Sequence, residues 1–269
     1  MNMTRPVCST LVHRVLAAGA AALLCVCPGC VTVSPEGITL LKSANSDYES
    51  SRWNSAESQA ALFIQKYHNS PVVAEAYYVR GMARYQQQQF AGAEADFQLA
   101  VANSKRADLT AKAHNMLGQL ALQRDDAAAA VPHLRAAAEG MPEGNGKPEL
   151  YYRLAIALRR AGQWDEARPY LSRVVDGYPT TEYARYARKQ LDWHWRGFSI
   201  QCGVFRQSKN AQQEMTRLRQ AGLDARQEMM RVGNEPQYVI LVGQYATYRE
   251  AKNNLRRVRM HVRDAIVMP

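Results

Sequence analysis

The chain has 269 residues, enough for two modest domains, and its 47% hydrophobic and 22% charged residues suit globular structure rather than a disordered polymer. A formal net charge of +10 points to an acidic partner, whether nucleic acid, anionic lipid or an anionic wall polymer. Four of the five cysteines (Cys8, Cys25, Cys27, Cys30) lie in the first thirty residues, leaving Cys202 alone, so the body of the protein has no internal disulfide framework.

The N-terminus reads as an export signal. Arg5 and Arg14 give a basic start free of acidic residues, and Val15–Cys27 is an apolar stretch. That stretch is shorter than the ~20 residues of a membrane-spanning helix. It ends in Cys27-Pro28-Gly29-Cys30, which resembles a bacterial lipobox, with Cys27 standing where Leu is usual. The resemblance implies a lipoprotein signal peptide over 1–30, with Cys30 as the lipidated residue and membrane anchor. The alternative is an ordinary secretory signal cut nearby. Val31 rather than Asp follows the cysteine, which in such lipoproteins implies the outer membrane, facing the periplasm.

Residues 31–45 read as a tether, and residues 46–195 as helical throughout, since apolar residues recur three and four apart in an Ala-, Leu-, Gln- and Arg-rich stretch. Within it lies a repeat. Gly81, Gly118 and Ala155 fall 37 residues apart. Ala93, Ala130 and Ala167 follow in the same register, then Phe97, Leu134 and Leu171, then Ala100, Ala137 and Val174. Small residues at facing positions let antiparallel helices approach closely, and one pair cannot bury its apolar stripe alone, so the units stack. Trp53, Ala56, Ala60 and Phe63 mark a degenerate earlier unit, and the segment after Pro179 a closing helix.

The pattern resembles the tetratricopeptide repeat, in its periplasmic lipoprotein form. The resemblance implies an all-α helical solenoid whose first helices line a groove for an envelope protein partner. The lining positions are Tyr78, Met82, Tyr85, Asn115, Gln119, Leu122, Tyr152, Ile156 and Arg159. Trp193-His194-Trp195 reads as a packed junction between the repeats and the C-terminal domain.

After Trp195 the composition shifts to β-α-β-β-α-β over residues 198–269. The segment from Gly203 overlays that from Gly243 at a constant offset of 40, pairing Phe205 with Tyr245, Ala211 with Ala251 and Leu218 with Val258. Two such halves predict a ferredoxin-like sandwich, with helices on one sheet face. Ile200-Gln201-Cys202-Gly203-Val204-Phe205 and Val239-Ile240-Leu241-Val242-Gly243-Gln244-Tyr245 resemble the paired strand motifs of SPOR (sporulation-related) domains.

That resemblance implies peptidoglycan binding, with preference for glycan strands stripped of their stem peptides. Alternation places Ser199, Gln201, Gly203 and Phe205 on the open face and Ile200, Cys202 and Val204 on the covered one. The expected glycan-binding set is Ser199, Gln201, Gly203, Phe205, Val239, Leu241, Gly243 and Tyr245, with Gly203 admitting a sugar and the aromatic rings stacking on it. Arg226 and Glu228 share one face of the second strand. Cys202 aligns with Val242 and reads as packing.

No P-loop, zinc signature or histidine cluster is present, so no enzyme, metal or cofactor is expected. The basic-Gly-aromatic strand of RNA-recognition modules is absent, so no nucleic acid is expected either. The expected protein is a non-catalytic envelope component that binds wall glycan through its C-terminal domain and recruits a partner through its repeats, in cell division or wall remodelling. The alternative is an outer-membrane assembly scaffold with wall binding as an auxiliary anchor.

Overall fold

A computed structural model describes residues 33–144, 146–192, 196–232 and 235–269. The expected signal peptide with Cys30, and the junction at Trp193–Trp195, lie outside the described residues. Among the described residues, nine helices occupy the first part: α1 (Pro35–Glu49), α2 (Trp53–Lys66), α3 (Val73–Gln86), α4 (Phe90–Asn103), α5 (Ala107–Gln123), α6 (Ala127–Gly140), α7 (Lys147–Arg160), α8 (Trp164–Gly177) and α9 (Glu182–Leu191).

The segment expected as a tether is instead helical from Pro35. The Gly37 N–H donates to Ser34 Oγ at 3.1 Å, and Pro35 stands in the first turn, where its missing N–H leaves no helical bond unmade. Leu41 joins Phe63 and Ala76, and Ala44 joins Ala60 and Val79, so α1 is the first helix of the earliest repeat. Its apolar stripe is too narrow to declare itself without those partners.

The small-residue rule holds where it is tested sterically. A Cβ on Gly81 would stand 2.8 Å from Phe97, and one on Gly118 would stand 2.5 Å from Leu134. The turn within each hairpin passes through one residue at positive φ: Ser51 (59°), Gln88 (61°), Asp125 (57°) and Gly162 (83°), each 37 positions after the last. The period thus extends to the backbone, and α1–α8 form four hairpins capped by α9.

The second part runs β1 (Phe198–Phe205), α10 (Ser208–Gln220), β2 (Ala225–Val232), β3 (Glu235–Tyr245), α11 (Tyr248–Arg259) and β4 (Ile266–Met268). Its sheet has the order β2-β3-β1-β4, every neighbouring pair antiparallel. The two helices cover one face, burying Ile200, Cys202, Ala225, Ile240 and Val242 against Ala211, Leu218, Leu255 and Val258. Thr247 and Glu250 form a reciprocal capping box that starts α11.

Residues Val33–Pro269 form one compact unit. The helix α11 meets the turn of the third hairpin, where Arg249 pairs with Asp126 at 2.8 Å and Lys252 pairs with Asp125. At the fourth hairpin, Trp164 packs on Phe198 (5.2 Å between centroids), which meets Tyr248 edge-on (5.7 Å). Arg160 lies over the Tyr248 ring at 4.7 Å.

Candidate functional site

The sheet face opposite α10 and α11 is organised around Arg226 of β2. Its Nε donates to Glu228 Oε1 at 2.7 Å, its Nη1 to the Gly243 carbonyl at 2.6 Å, and its Nη2 to Ser199 Oγ at 2.7 Å. One guanidinium therefore ties β2 to β3 and β1. The register opposes Arg226 to Leu241 and Glu228 to Val239, which puts Val239 and Leu241 on this same face. Both are buried, as is Ser199 on the same face. Ser199, Arg226, Glu228, Met230, Leu241 and Met268 contribute to the lining of a cavity of about 260 Å³ on this side. Gln201, opposite Leu241 and half-exposed, adds an amide to the face.

Ser199, Gln201, Val239 and Leu241 therefore share one face, as alternation predicts. Phe205 does not join them. The register passes from Gln201↔Leu241 to Gly203↔Ile240, leaving Cys202 as an extra residue in β1. Such a bulge breaks the two-residue alternation for everything after it. Val204 emerges opposite Val239 and is 45% exposed, while Phe205 pairs with Tyr238 and packs against the helix-covered cluster.

Gly203 turns to that covered side too, and a Cβ there would stand 2.8 Å from the Phe205 ring. A second register shift lies between Phe198 and Ile200, opposite the stretch Val242 to Tyr245. There Gly243 has φ +68°, a Cβ on it would collide with the Tyr245 hydroxyl, and Tyr245 packs against the same covered cluster while also reaching the edge of the cavity. Desolvation by burial raises the pKa of that hydroxyl. In both halves the Gly-x-aromatic motif is a steric pair, the ring lying over its own glycine. The Gly243 carbonyl, held by Arg226, takes part in the polar network of the open face.

The Arg226–Ser199 link was not legible from one chain, because it depends on which residues the strands bring level. The shared face of Arg226 and Glu228 was legible, by alternation alone. Cys202 sits on the covered face, as alternation places it; burial, with the Glu214 charge adding, raises its thiol to about 11 and keeps it protonated and inert at neutral pH.

The groove positions fall on the first helices α3, α5 and α7, and several are tied to one another. Tyr78, Met82 and Tyr85 pack against the cluster around Phe97, and burial pushes Tyr78 up to about 12. Gln119 donates to the Tyr85 hydroxyl at 2.7 Å, and Asn115 accepts from Arg153 at 2.6 Å. Leu122 packs against the next cluster along. Tyr152 stands between Tyr183 and Tyr186, at 6.0 and 5.9 Å. Ile156 and Arg159, expected in an open groove, instead line a cavity shared with Phe198, Tyr248 and Val267, and Arg159 is only 5% exposed. The sheet's docking on the fourth hairpin covers what the repeats alone would leave open.

Residues 196–269 match the SPOR domain family, and residues 41–108 and 121–191 match tetratricopeptide repeat families. Among curated protein sequences, none matches the chain. Solved structures with similar folds include a MamA double mutant (17% identity, TM-score 0.50), covering 61% of this chain and 89% of that one. Another is YrrB, described as a TPR protein with an unusual peptide-binding site (20% identity, TM-score 0.47), covering 58% and 79%. Both likenesses concern the helical fold alone.

Proposed function

Because the chain carries tetratricopeptide repeats followed by a C-terminal SPOR domain, we propose that it is a non-catalytic envelope protein that binds stem-peptide-depleted glycan strands and recruits a protein partner during wall remodelling or division. Peptidoglycan binding and protein interaction are the general properties of these two families. The specific glycan form, the partner and the cellular role belong to this proposal.

The observation that carries it is the Arg226 network on the sheet face opposite the two helices. Hydroxyl- and amide-rich sugars require donors and acceptors held at fixed positions over a flat floor. Arg226, Glu228, Ser199 and Gln201 supply both kinds above Leu241 and Val239. The paired Arg226 and Glu228 offset each other's charge, which favours uncharged sugar groups over carboxylates at the centre. Cys30 is the proposed lipid anchor, in an outer membrane and facing the periplasm.

The test is co-sedimentation with sacculi, before and after amidase treatment, of the protein and of its Arg226→Ala variant. Enrichment on treated sacculi that the substitution abolishes supports the reading. Equal capture on both preparations refutes the preference for stripped strands. Loss of a metabolic lipid label on Cys30→Ala tests the anchor.

A further inference from the structure

His114 of α5 and His133 of α6 stand 19 residues apart in sequence, so no spacing along the chain announces them as a pair. The third hairpin brings them to 3.0 Å, Nδ1 to Nδ1, with ring centroids 5.3 Å apart and planes inclined at 32°. The nitrogen edges face each other. Both rings are half-buried and keep some contact with solvent.

The repeat shows that packing does not ask for two imidazoles here. One period of 37 residues later, the same positions hold Tyr151 and Tyr170, with centroids 5.9 Å apart. One period earlier they hold Tyr77 and Asp96. Of these three hairpins, the third alone sets two nitrogen bases in that place.

Burial lowers the pKa of both rings, with His133 adding to the effect at His114 and Glu94 opposing it at His133, so both are neutral at pH 7. In the present contact one Nδ1 donates to the other. A neutral imidazole carries its hydrogen on either nitrogen, so moving that hydrogen to the Nε2 of its own ring frees both Nδ1 lone pairs without losing a proton. Two ligands at right angles, each about 2.0–2.1 Å from a metal, stand about 2.9 Å apart, whereas a tetrahedral angle requires about 3.3 Å. The observed separation matches the right angle.

We propose that His114 and His133 together chelate one divalent transition-metal ion through their Nδ1 atoms, with Cu(II) preferred. Imidazole suits such ions, Cu(II) binds most tightly in the divalent series, and its tetragonal geometry uses ligands at right angles. Among the described residues no third His, Cys, Asp or Glu joins the pair, so water fills the remaining positions. Glu94, whose charge is felt at His133, has both oxygens engaged by Arg124. An ion held there clamps α5 to α6 in the hairpin whose turn, at Asp125 and Asp126, holds α11.

The test uses the full chain, stripped with a chelator and titrated with copper(II) chloride in the presence of glycine, which retains loosely bound copper. Electron paramagnetic resonance is expected to show one copper per chain, split by two nitrogens, and the melting temperature is expected to rise with copper concentration. The double variant His114→Tyr with His133→Tyr, which installs the ring pair of the fourth hairpin, is expected to abolish that signal. His133→Gln covers the case in which two phenols do not fit: its copper affinity is expected to fall at least roughly tenfold, the least that loss of even an outer-shell partner costs.

No copper signal beyond that of the glycine complex overturns the proposal. The same two-nitrogen signal in the double variant overturns it too, because it places the copper on other donors. So does a stabilisation by Mg²⁺ equal to that by Cu(II), since imidazole is a poor ligand for that hard cation. Sacculus capture does not read this site, so its outcome is independent of the wall-binding proposal.

Discussion

Arg226 reaches across β3 to place its Nη2 2.7 Å from Ser199 Oγ on β1, joining strands that are not neighbours in the sheet. The same side chain holds Glu228 and the Gly243 carbonyl, so it orders the face on which the glycan is proposed to bind. Arg226→Ala is expected to lower sacculus affinity at least roughly tenfold, in keeping with the ~1.5–3 kcal/mol of a charged hydrogen bond. Arg226→Lys is expected to fall between, because an ammonium cannot reproduce the fork. Binding isotherms on amidase-treated sacculi measure both, and an unchanged affinity in Arg226→Ala would move the site elsewhere.

The Gly-x-aromatic motif predicts stability effects without binding effects. Gly203→Ala forces the Phe205 ring aside and is expected to destabilise by about 1–3 kcal/mol in chemical denaturation. Gly243→Ala adds the strain of positive φ and is expected to be worse. Phe205→Ala is expected to lose about 1.5–3 kcal/mol, the ring being partly buried, while the folded protein keeps its sacculus affinity. A folded Phe205→Ala that loses binding would return the ring to the glycan site.

His114 of α5 and His133 of α6 meet Nδ1 to Nδ1 at 3.0 Å. Burial lowers the pKa of both; the neighbouring ring adds to the effect on His114, while Glu94 opposes it at His133. With folded pKa values below the unfolded value of about 6.5, the unfolded chain binds more protons on acidification. Stability from this pair is therefore present above that pH and falls as pH drops through the folded values. Melting curves between pH 7.5 and 5 are expected to show the loss, with a flatter profile in His133→Gln. An identical slope in that variant would place the acid sensitivity elsewhere.

Gly162 combines positive φ with a close approach: a Cβ there would stand 3.1 Å from the Ala246 carbonyl, just before α11. Ser51, Gln88 and Asp125 occupy the equivalent turns, so a side chain is tolerable in the turn itself. Gly162→Ala is therefore expected to act on docking, raising the radius of gyration in small-angle scattering while both helical and sheet signals persist. Because the nearby Arg249–Asp126 and Lys252–Asp125 pairs are partly exposed and screened by salt, the opening is expected to grow with ionic strength. No change in dimensions would mean that the loop shifts to make room.

Much of this architecture was legible in the chain because close helix packing demands small residues at a fixed period. Gly81, Gly118 and Ala155 announce that period, as the offset of 40 between Gly203 and Gly243 announces the two halves of the sheet domain. The helix α1 was not legible, since Leu41 and Ala44 become a stripe only against Phe63, Ala76 and Val79. The open face was legible in part: Ser199, Gln201, Val239 and Leu241 follow alternation, whereas Phe205 lies beyond a bulge that alternation cannot foresee.

Residue spacing by itself determined the repeat, the order of the two domains and the covered position of Cys202, because these depend on local periodicity. The folded arrangement set which way Phe205 and Tyr245 turn, what Arg226 holds, and that Arg159 is buried. Each depends on cross-strand register or on docking between segments far apart in sequence, where one added residue or one ion pair redirects a side chain.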